Sequence, residues 1–285
     1  MKKILVTGAN GQLGSEIKEL AAHYPNFDFV FTDIEDFPLD KEQEIRFNFN
    51  LLQPDIVINC AAYTAVDKAE SDQEVADAIN HKAIATLATL CHDSGAQLVH
   101  ISTDYVFDGT SPIAYTEADR PNPKSVYGVT KLAGELACLK NCPESIIIRT
   151  AWVYSEFGNN FVKTMLRLMT ERDSLNVVND QIGSPTYAAD LAQVILTILD
   201  SGQWEAGIYH YSNEGEISWY DFAVAIKTIA HKTCEIKGIP ASSYPTPAER
   251  PSFSLLDKSK IKAVYGIVPV DYKVSLKIMM ERLGK

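Results

Sequence analysis

The sequence predicts an α/β chain whose parallel sheet is covered by helices on both faces. Three observations carry this: short apolar runs alternate with longer amphipathic periods, a glycine-rich turn follows the first run, and the regular alternation loosens after about residue 150. Ile4 to Thr7 reads as a buried strand, and the turn after it leads into a helix from about Gln12 to Ala22. Phe27 to Asp33 is the second strand, and Gln53-Pro54-Asp55 marks a turn into the third, Ile56 to Cys60. Ser71 and Glu74 stand at capping-box spacing, so a long helix is expected to open there, with Ile79, Ala83, Leu87 and Leu90 on one face and Gly95 as its left-handed end. Gln97 to Ser102 is the fourth strand. A loop carrying Pro112, Pro121 and Pro123 then delivers the chain to a helix beginning near Lys124, and Ser145 to Thr150 is the fifth strand. Beyond it a helix follows Asn159, a strand lies near Val177, a helix runs from about Ala188 to Ser201, and a proline-rich loop spans Pro240 to Pro251.

With 285 residues, 46% hydrophobic and 22% charged, the chain has globular composition, which excludes disorder, collagen and a small disulfide scaffold. Lys and Arg total 26 against 37 Asp and Glu, a net charge of −11 that opposes general attraction to nucleic acid or anionic lipid. Neither is expected as a partner, and an anionic ligand needs locally placed cations and backbone N–H groups. No apolar run approaches the roughly 18 residues of a membrane span. The stretch Ile4-Leu5-Val6 behind Met1-Lys2-Lys3 is too short for a signal-peptide core. Cys60, Cys91, Cys138, Cys142 and Cys234 form an odd, scattered set without a Cys-x-x-Cys pair, which fits reduced thiols and a cytoplasmic location.

Thr7-Gly8-Ala9-Asn10-Gly11-Gln12-Leu13-Gly14 follows directly on the first strand and opens the first helix. Gly8 suits the tight turn, Gly11 the approach of backbone N–H groups to a pyrophosphate, and Gly14 close helix–strand packing. Asp33 ends the second strand 22 residues after Gly11, where a carboxylate accepts hydrogen bonds from adenosine ribose hydroxyls. An acid there repels a 2′-phosphate and favours NADH, while Lys41 in the following loop leaves NADPH open. The predicted architecture is therefore a Rossmann-type doubly wound parallel sheet, with residues 1–150 binding NAD(P). A smaller C-terminal α/β substrate domain, 151–285, follows, and some of its segments return to the sheet.

Tyr127-Gly128-Val129-Thr130-Lys131 places a phenol and an ammonium on one face of a helix. A neighbouring cation favours the phenolate, so Lys131 is expected to lower the Tyr127 pKa toward neutrality. Thr103 closes the fourth strand at the carboxyl edge, where its hydroxyl can hold a carbonyl oxygen beside Tyr127. The three are the candidate catalytic residues.

The glycine turn combined with Thr103, Tyr127 and Lys131 resembles the extended short-chain dehydrogenase/reductase superfamily, in which Ser/Thr, Tyr and Lys assist hydride transfer at a sugar carbon. Val57 to Glu70, Ser102 to Phe107, Gly158 to Phe161, Asn179 to Thr186 and Tyr244 to Pro251 narrow this to a resemblance, over nearly the whole chain, to the dTDP-4-dehydrorhamnose reductase family. Cys60 stands where that family usually has Ala, a small change. The resemblance implies reduction of the C4 ketone of dTDP-4-dehydro-L-rhamnose to dTDP-L-rhamnose by NADPH or NADH. It implies Tyr127 as proton donor, Lys131 serving phenol and cofactor, and Gly8, Asn10, Gly11, Gln12, Leu13, Gly14, Asp33, Asp40, Ala61, Ala62 and Tyr63 at the cofactor. Thr103, Asp104, Tyr127, Trp152 and Asn160 fall to the substrate, with the Arg250 fork as a diphosphate ligand. Some members bridge subunits through Mg²⁺; Glu16 matches one such position and Asp190 lies near another, so Mg²⁺ stays open although two carboxylates do not predict it, and a homodimer stays open as well.

Nucleotide-sugar 4,6-dehydratases carry Asp-Glu directly after the Thr, an acid/base pair for eliminating water; here Asp104-Tyr105 lacks the glutamate, which disfavours elimination. A 4-epimerase uses the same triad and stays open. So does a dinucleotide-binding regulatory subunit, since the beta subunit of methionine adenosyltransferase is similar to this family. Trp152 and Gly158-Asn159-Asn160-Phe161 favour the enzyme.

Overall fold

The computed structural model describes residues 1–284. Its first half is built as β1 (Lys2–Thr7), α1 (Gln12–Leu20), β2 (Phe27–Thr32), α2 (Glu42–Leu52), β3 (Ile56–Asn59), α3 (Val66–Ala69), α4 (Gln73–Asp77), α5 (Ala83–Ser94), β4 (Gln97–Thr103), α6 (Val126–Asn141) and β5 (Ile146–Thr150). All five strands lie within two residues of expectation, because β1, β3, β4 and β5 are largely buried apolar runs and β2, at the sheet edge, keeps alternating aromatics Phe27, Phe29 and Phe31. Along β1, Ile4 and Val6 enter a core with Ile17 of α1, whereas Leu5 enters the opposite core with Phe49 of α2 and Leu87 of α5.

Two helix starts differ from expectation. The Ser71/Glu74 capping box does not form: the Ser71 hydroxyl donates to the Lys68 carbonyl at 3.0 Å, behind α3, and α4 opens after Asp72. Asp72 caps nothing either, since its carboxylate accepts the Tyr63 hydroxyl and pairs with Lys68. The long helix is also broken by a π turn, Ala78–Lys82, between α4 and α5. Close packing accompanies it, because a Cβ on Gly134 of α6 would collide with the Asn80 carbonyl. The Gly95 end is as expected, with φ +75°. The helix expected near Lys124 starts at Val126, where the Ser125 Oγ accepts the Gly128 N–H at 3.2 Å.

After β5 the chain runs through β6 (Val153–Tyr154), α7 (Phe161–Glu171), β7 (Ser174–Val178), β8 (Ile182–Gly183), β9 (Thr186–Tyr187) and α8 (Ala188–Asp200). It then returns to the sheet as β10 (Gly207–His210) and ends with β11 (Ile217–Ser218), α9 (Trp219–Ile229), β12 (Glu235–Ile239), α10 (Ser259–Tyr265) and α11 (Tyr272–Arg282). Tyr154, Met165, Phe222, Leu276 and Met279 form a core of their own among α7, α9 and α11. No helix among the described residues is long and apolar enough to cross a membrane.

The main sheet is parallel throughout in the order β2-β1-β3-β4-β5-β10. From β1 the chain goes outward to β2 and then recrosses to β3, so strand order reverses at the β1/β3 junction. The carboxyl ends of those two strands part there, leaving the crevice in which such sheets bind ligands.

Candidate active site

A cleft of about 960 Å³ opens at this reversal. One end is the glycine turn. Gly8 adopts φ +66°, and a Cβ on it would stand 2.8 Å from the Ala61 backbone at the end of β3. A Cβ on Gly14 would overlap the Gly8 carbonyl and the Ala9 backbone. The turn therefore has room for main chain only, and Gly11, the N-cap of α1, faces the cleft beside Gln12 and Leu13. Such a cradle fits a dinucleotide pyrophosphate. Asp33 and Asp40 line the same end, the Asp33 carboxylate oriented by the N–H groups of Asn10 (2.7 Å) and Ile34 (2.8 Å).

Ala61 and Ala62 line the cleft, but Tyr63 turns its hydroxyl to Asp72. Asn80, in the π turn, accepts the Tyr63 N–H at 2.8 Å and donates to the Tyr63 carbonyl at 3.1 Å, pinning this loop to α6 through Thr130. Asn10 and Gly14 build the turn without lining the cleft, and Lys41 is exposed outside it.

Elsewhere along the cleft β4 delivers Thr103 and the first two turns of α6 deliver Tyr127 and Lys131. The Thr103 hydroxyl donates to Asp104 Oδ1 at 3.0 Å and accepts the Tyr105 N–H at 3.2 Å. Lys131 is the single cation lining the cleft among the described residues; its Nζ donates to the Ile101 carbonyl at 2.6 Å. Burial pulls its pKa down to about 8, with Glu135 pulling back up. Glu135 itself receives both arms of the buried Arg149 guanidinium, at 2.9 and 2.7 Å, which ties α6 to β5 beneath the site.

The expected direction for the phenol is reversed. Burial pushes Tyr127 up to about 12, the Asp104 charge raises it and only Thr103 lowers it. Helical spacing places both residues on one face, but the Lys131 ammonium is turned to the Ile101 carbonyl, and withdrawal of the phenolate from water sets the direction. Tyr127 thus carries its proton at neutral pH. Asp104 is likewise raised, to about 6, by burial, and its Oδ2 has no hydrogen-bond partner.

The wall beyond the triad is aromatic. Trp152 lies just past β5 with φ +49°, a left-handed conformation that costs a non-glycine residue ~1–3 kcal/mol. Its ring stacks on Trp219 with centroids 3.7 Å apart and planes 14° from parallel, and both line the cleft. Trp219 was not singled out by the sequence, where nothing local distinguishes it from a core residue of α9.

Two expected substrate residues lie behind the lining. Asn160 caps α7, accepting the Lys163 N–H, and donates to Gln12 Oε1 at 3.0 Å and the Ser155 carbonyl at 2.6 Å. The Arg250 fork is engaged by Asp67 at 2.9 and 2.7 Å. Glu16 and Asp190 do not fit a common Mg²⁺ site within one chain. Glu16 is met by Ser155, Glu156 and Arg282, whereas Asp190 accepts from Asn213 and Ser275 in a separate network.

The model of the RmlD substrate binding domain family matches residues 1–284. A dTDP-4-dehydrorhamnose reductase of Aggregatibacter actinomycetemcomitans is 40% identical over 287 residues, covering 97% of this chain and 98% of its own. The crystal structure of a dTDP-4-dehydrorhamnose reductase from Clostridium acetobutylicum superposes with a TM-score of 0.95 at 41% identity, covering 99% of this chain and 100% of that one. One from Bacillus anthracis, in complex with NADP, superposes at 0.93 with 35% identity and 99% of both chains covered. With the glycine cradle and the Thr103, Tyr127 and Lys131 cluster in one cleft and similarity running from end to end, the chain belongs to the dTDP-4-dehydrorhamnose reductase family.

Proposed function

We propose that this protein reduces the C4 ketone of dTDP-4-dehydro-L-rhamnose to give dTDP-L-rhamnose, using NADPH or NADH. The observation that carries the reading is a protonated, buried phenol sharing one cleft with a dinucleotide cradle. The reduced dinucleotide, when bound, supplies a hydride to C4. Tyr127 gives its proton to the ketone oxygen, and the high pKa that burial imposes keeps that proton in place until charge develops on the oxygen. Thr103 orients phenol and ketone together. Lys131 keeps positive potential beside the phenolate left behind, and Ile101 holds its ammonium.

On this reading residues 1–150 hold the cofactor and 151–285 contribute most of the sugar-nucleotide side. Gly8, Gly11, Gln12, Leu13, Asp33, Asp40, Ala61 and Ala62 meet the dinucleotide directly, and Asn10, Gly14 and Tyr63 shape the loops that do so. Asp104 and Trp152 meet the sugar, while Asn160 acts through Gln12. Arg250 serves the diphosphate by exchanging the Asp67 carboxylate for it, an exchange of one oxyanion pair for another at the same planar fork. The reaction belongs in the cytoplasm, and sedimentation velocity decides whether two copies assemble.

The test is loss of reduced-nicotinamide absorbance on adding the 4-keto nucleotide sugar, with the product sugar identified. Tyr127→Phe is expected to lower kcat by about 10²- to 10⁴-fold and leave cofactor affinity within about twofold. Unchanged turnover would remove Tyr127 from the chemistry.

A further inference from the structure

The Trp152 ring is held in a conformation that its own backbone disfavours. At φ +49° a large side chain needs external support, and two elements distant in sequence provide it. From one face Trp219 stacks at 3.7 Å. At the edge Gly183 of β8 leaves the space a side chain would fill, since a Cβ there would stand 2.9 Å from Trp152 Cζ2 and 3.0 Å from Cε2. Trp219 is itself fixed. It is the first residue of α9, whose start is closed by a complete capping box between Ser218 and Asp221, and Phe161 of α7 packs against it, tilted, with centroids 4.7 Å apart.

We propose that Trp219 is a positioning residue of the sugar subsite, holding the Trp152 indole so that its free surface receives the apolar face of a bound deoxysugar. The proposal rests on the ketone reduction read above. Rings of this kind bind sugars through flat, rigid, apolar contact area that loses little conformational freedom on binding. That benefit depends on the ring being held before the ligand arrives. The glycine cradle is main chain of β1 and α1, whereas Trp219 belongs to α9, so the effect of losing Trp219 should fall on the sugar and not on the dinucleotide.

Steady-state kinetics of Trp219→Ala and Trp219→Phe with both ligands, together with circular dichroism of the exciton couplet that stacked indoles produce, test this. Trp219→Ala is expected to raise KM for the sugar nucleotide by about ten- to hundredfold. Cofactor affinity should stay within about twofold. Trp219→Phe, which keeps a flat ring against Trp152, should recover most of the loss. The wild-type protein should show the couplet and both variants should lack it. If KM is unmoved in Trp219→Ala, or if sugar and cofactor affinities weaken together, the proposal is overturned. Should Trp219→Ala fail to fold, Gly183→Ala displaces Trp152 from the other side with Trp219 intact: a weakened couplet and raised KM support the proposal, and neither changing overturns it. A wild-type protein that reduces no 4-keto nucleotide sugar overturns the function itself, which separates that failure from this one.

Discussion

The two ends of the cleft are built from different material. The dinucleotide end is main chain: Gly8, Gly11 and Gly14 are there so that nothing projects, and a single added carbon at Gly8 or Gly14 meets backbone. The sugar end is side chain, with Trp152 just past β5 stacked on Trp219 of α9, and Tyr127 brought in by α6. A backbone site tolerates no change at its glycines, because main chain stands where a side chain would go. A side-chain wall tolerates graded substitution but depends on everything packed behind it. Damage at the first end should therefore be abrupt and confined to the cofactor, and damage at the second graded and confined to the sugar.

The sharpest way to break this contrast is Gly14→Val. The new side chain has no path past the Gly8 carbonyl, so the helix must move off the strand. The NADPH dissociation constant, followed by fluorescence titration, is expected to rise at least about 100-fold, about 2.7 kcal/mol. Sugar-nucleotide binding changes by less than about twofold, and a larger change there dissolves the contrast.

Of comparable size is a cost the sugar end imposes on the fold. Burial raises Asp104 from 3.8 to about 6, so the native state keeps this proton to a higher pH than the unfolded chain does. Between about pH 4 and pH 6 the unfolding free energy therefore falls as pH rises, and above pH 6 the ionised carboxylate costs about 3 kcal/mol. Asp104→Asn removes the titration. Its denaturant midpoint should match wild type near pH 4 and exceed it increasingly up to pH 7; a pH-independent gap would show that Asp104 is not buried as a charge.

The smallest effect is a control away from both ends. Gly95→Ala places a side chain at φ +75° with open space around it, so only backbone strain opposes it. A stability loss of about 1 kcal/mol with both ligand affinities intact is expected from thermal unfolding and titration.

The same contrast explains what could be read beforehand. The glycine turn, the strands and the Tyr127/Lys131 pair are patterns over eight residues or fewer, so spacing alone discloses them. Trp219 and Trp152 are 67 positions apart, and Asn80 reaches back to Tyr63 across a π turn that no periodicity announces. Ser71 and Glu74 had the right spacing for a cap, but Ser71 bonds backward to Lys68, a competition that local pattern does not rank. The phenol direction failed for a related reason: the Tyr127 to Lys131 spacing is local, whereas the burial that governs the pKa is made by the whole fold.

The sixth strand of the main sheet has an implication for how the protein is made. β5 finishes at Thr150, but its neighbour β10 is not synthesised until Gly207 to His210. At about 5–20 residues per second, a ribosome needs roughly 3–12 s to cover that interval. During it the nascent chain holds an apolar strand with one row of N–H and C=O groups unpaired. Fusion or truncation points placed before residue 210 leave that edge permanently open to strands from other molecules, and aggregation during expression is their expected failure.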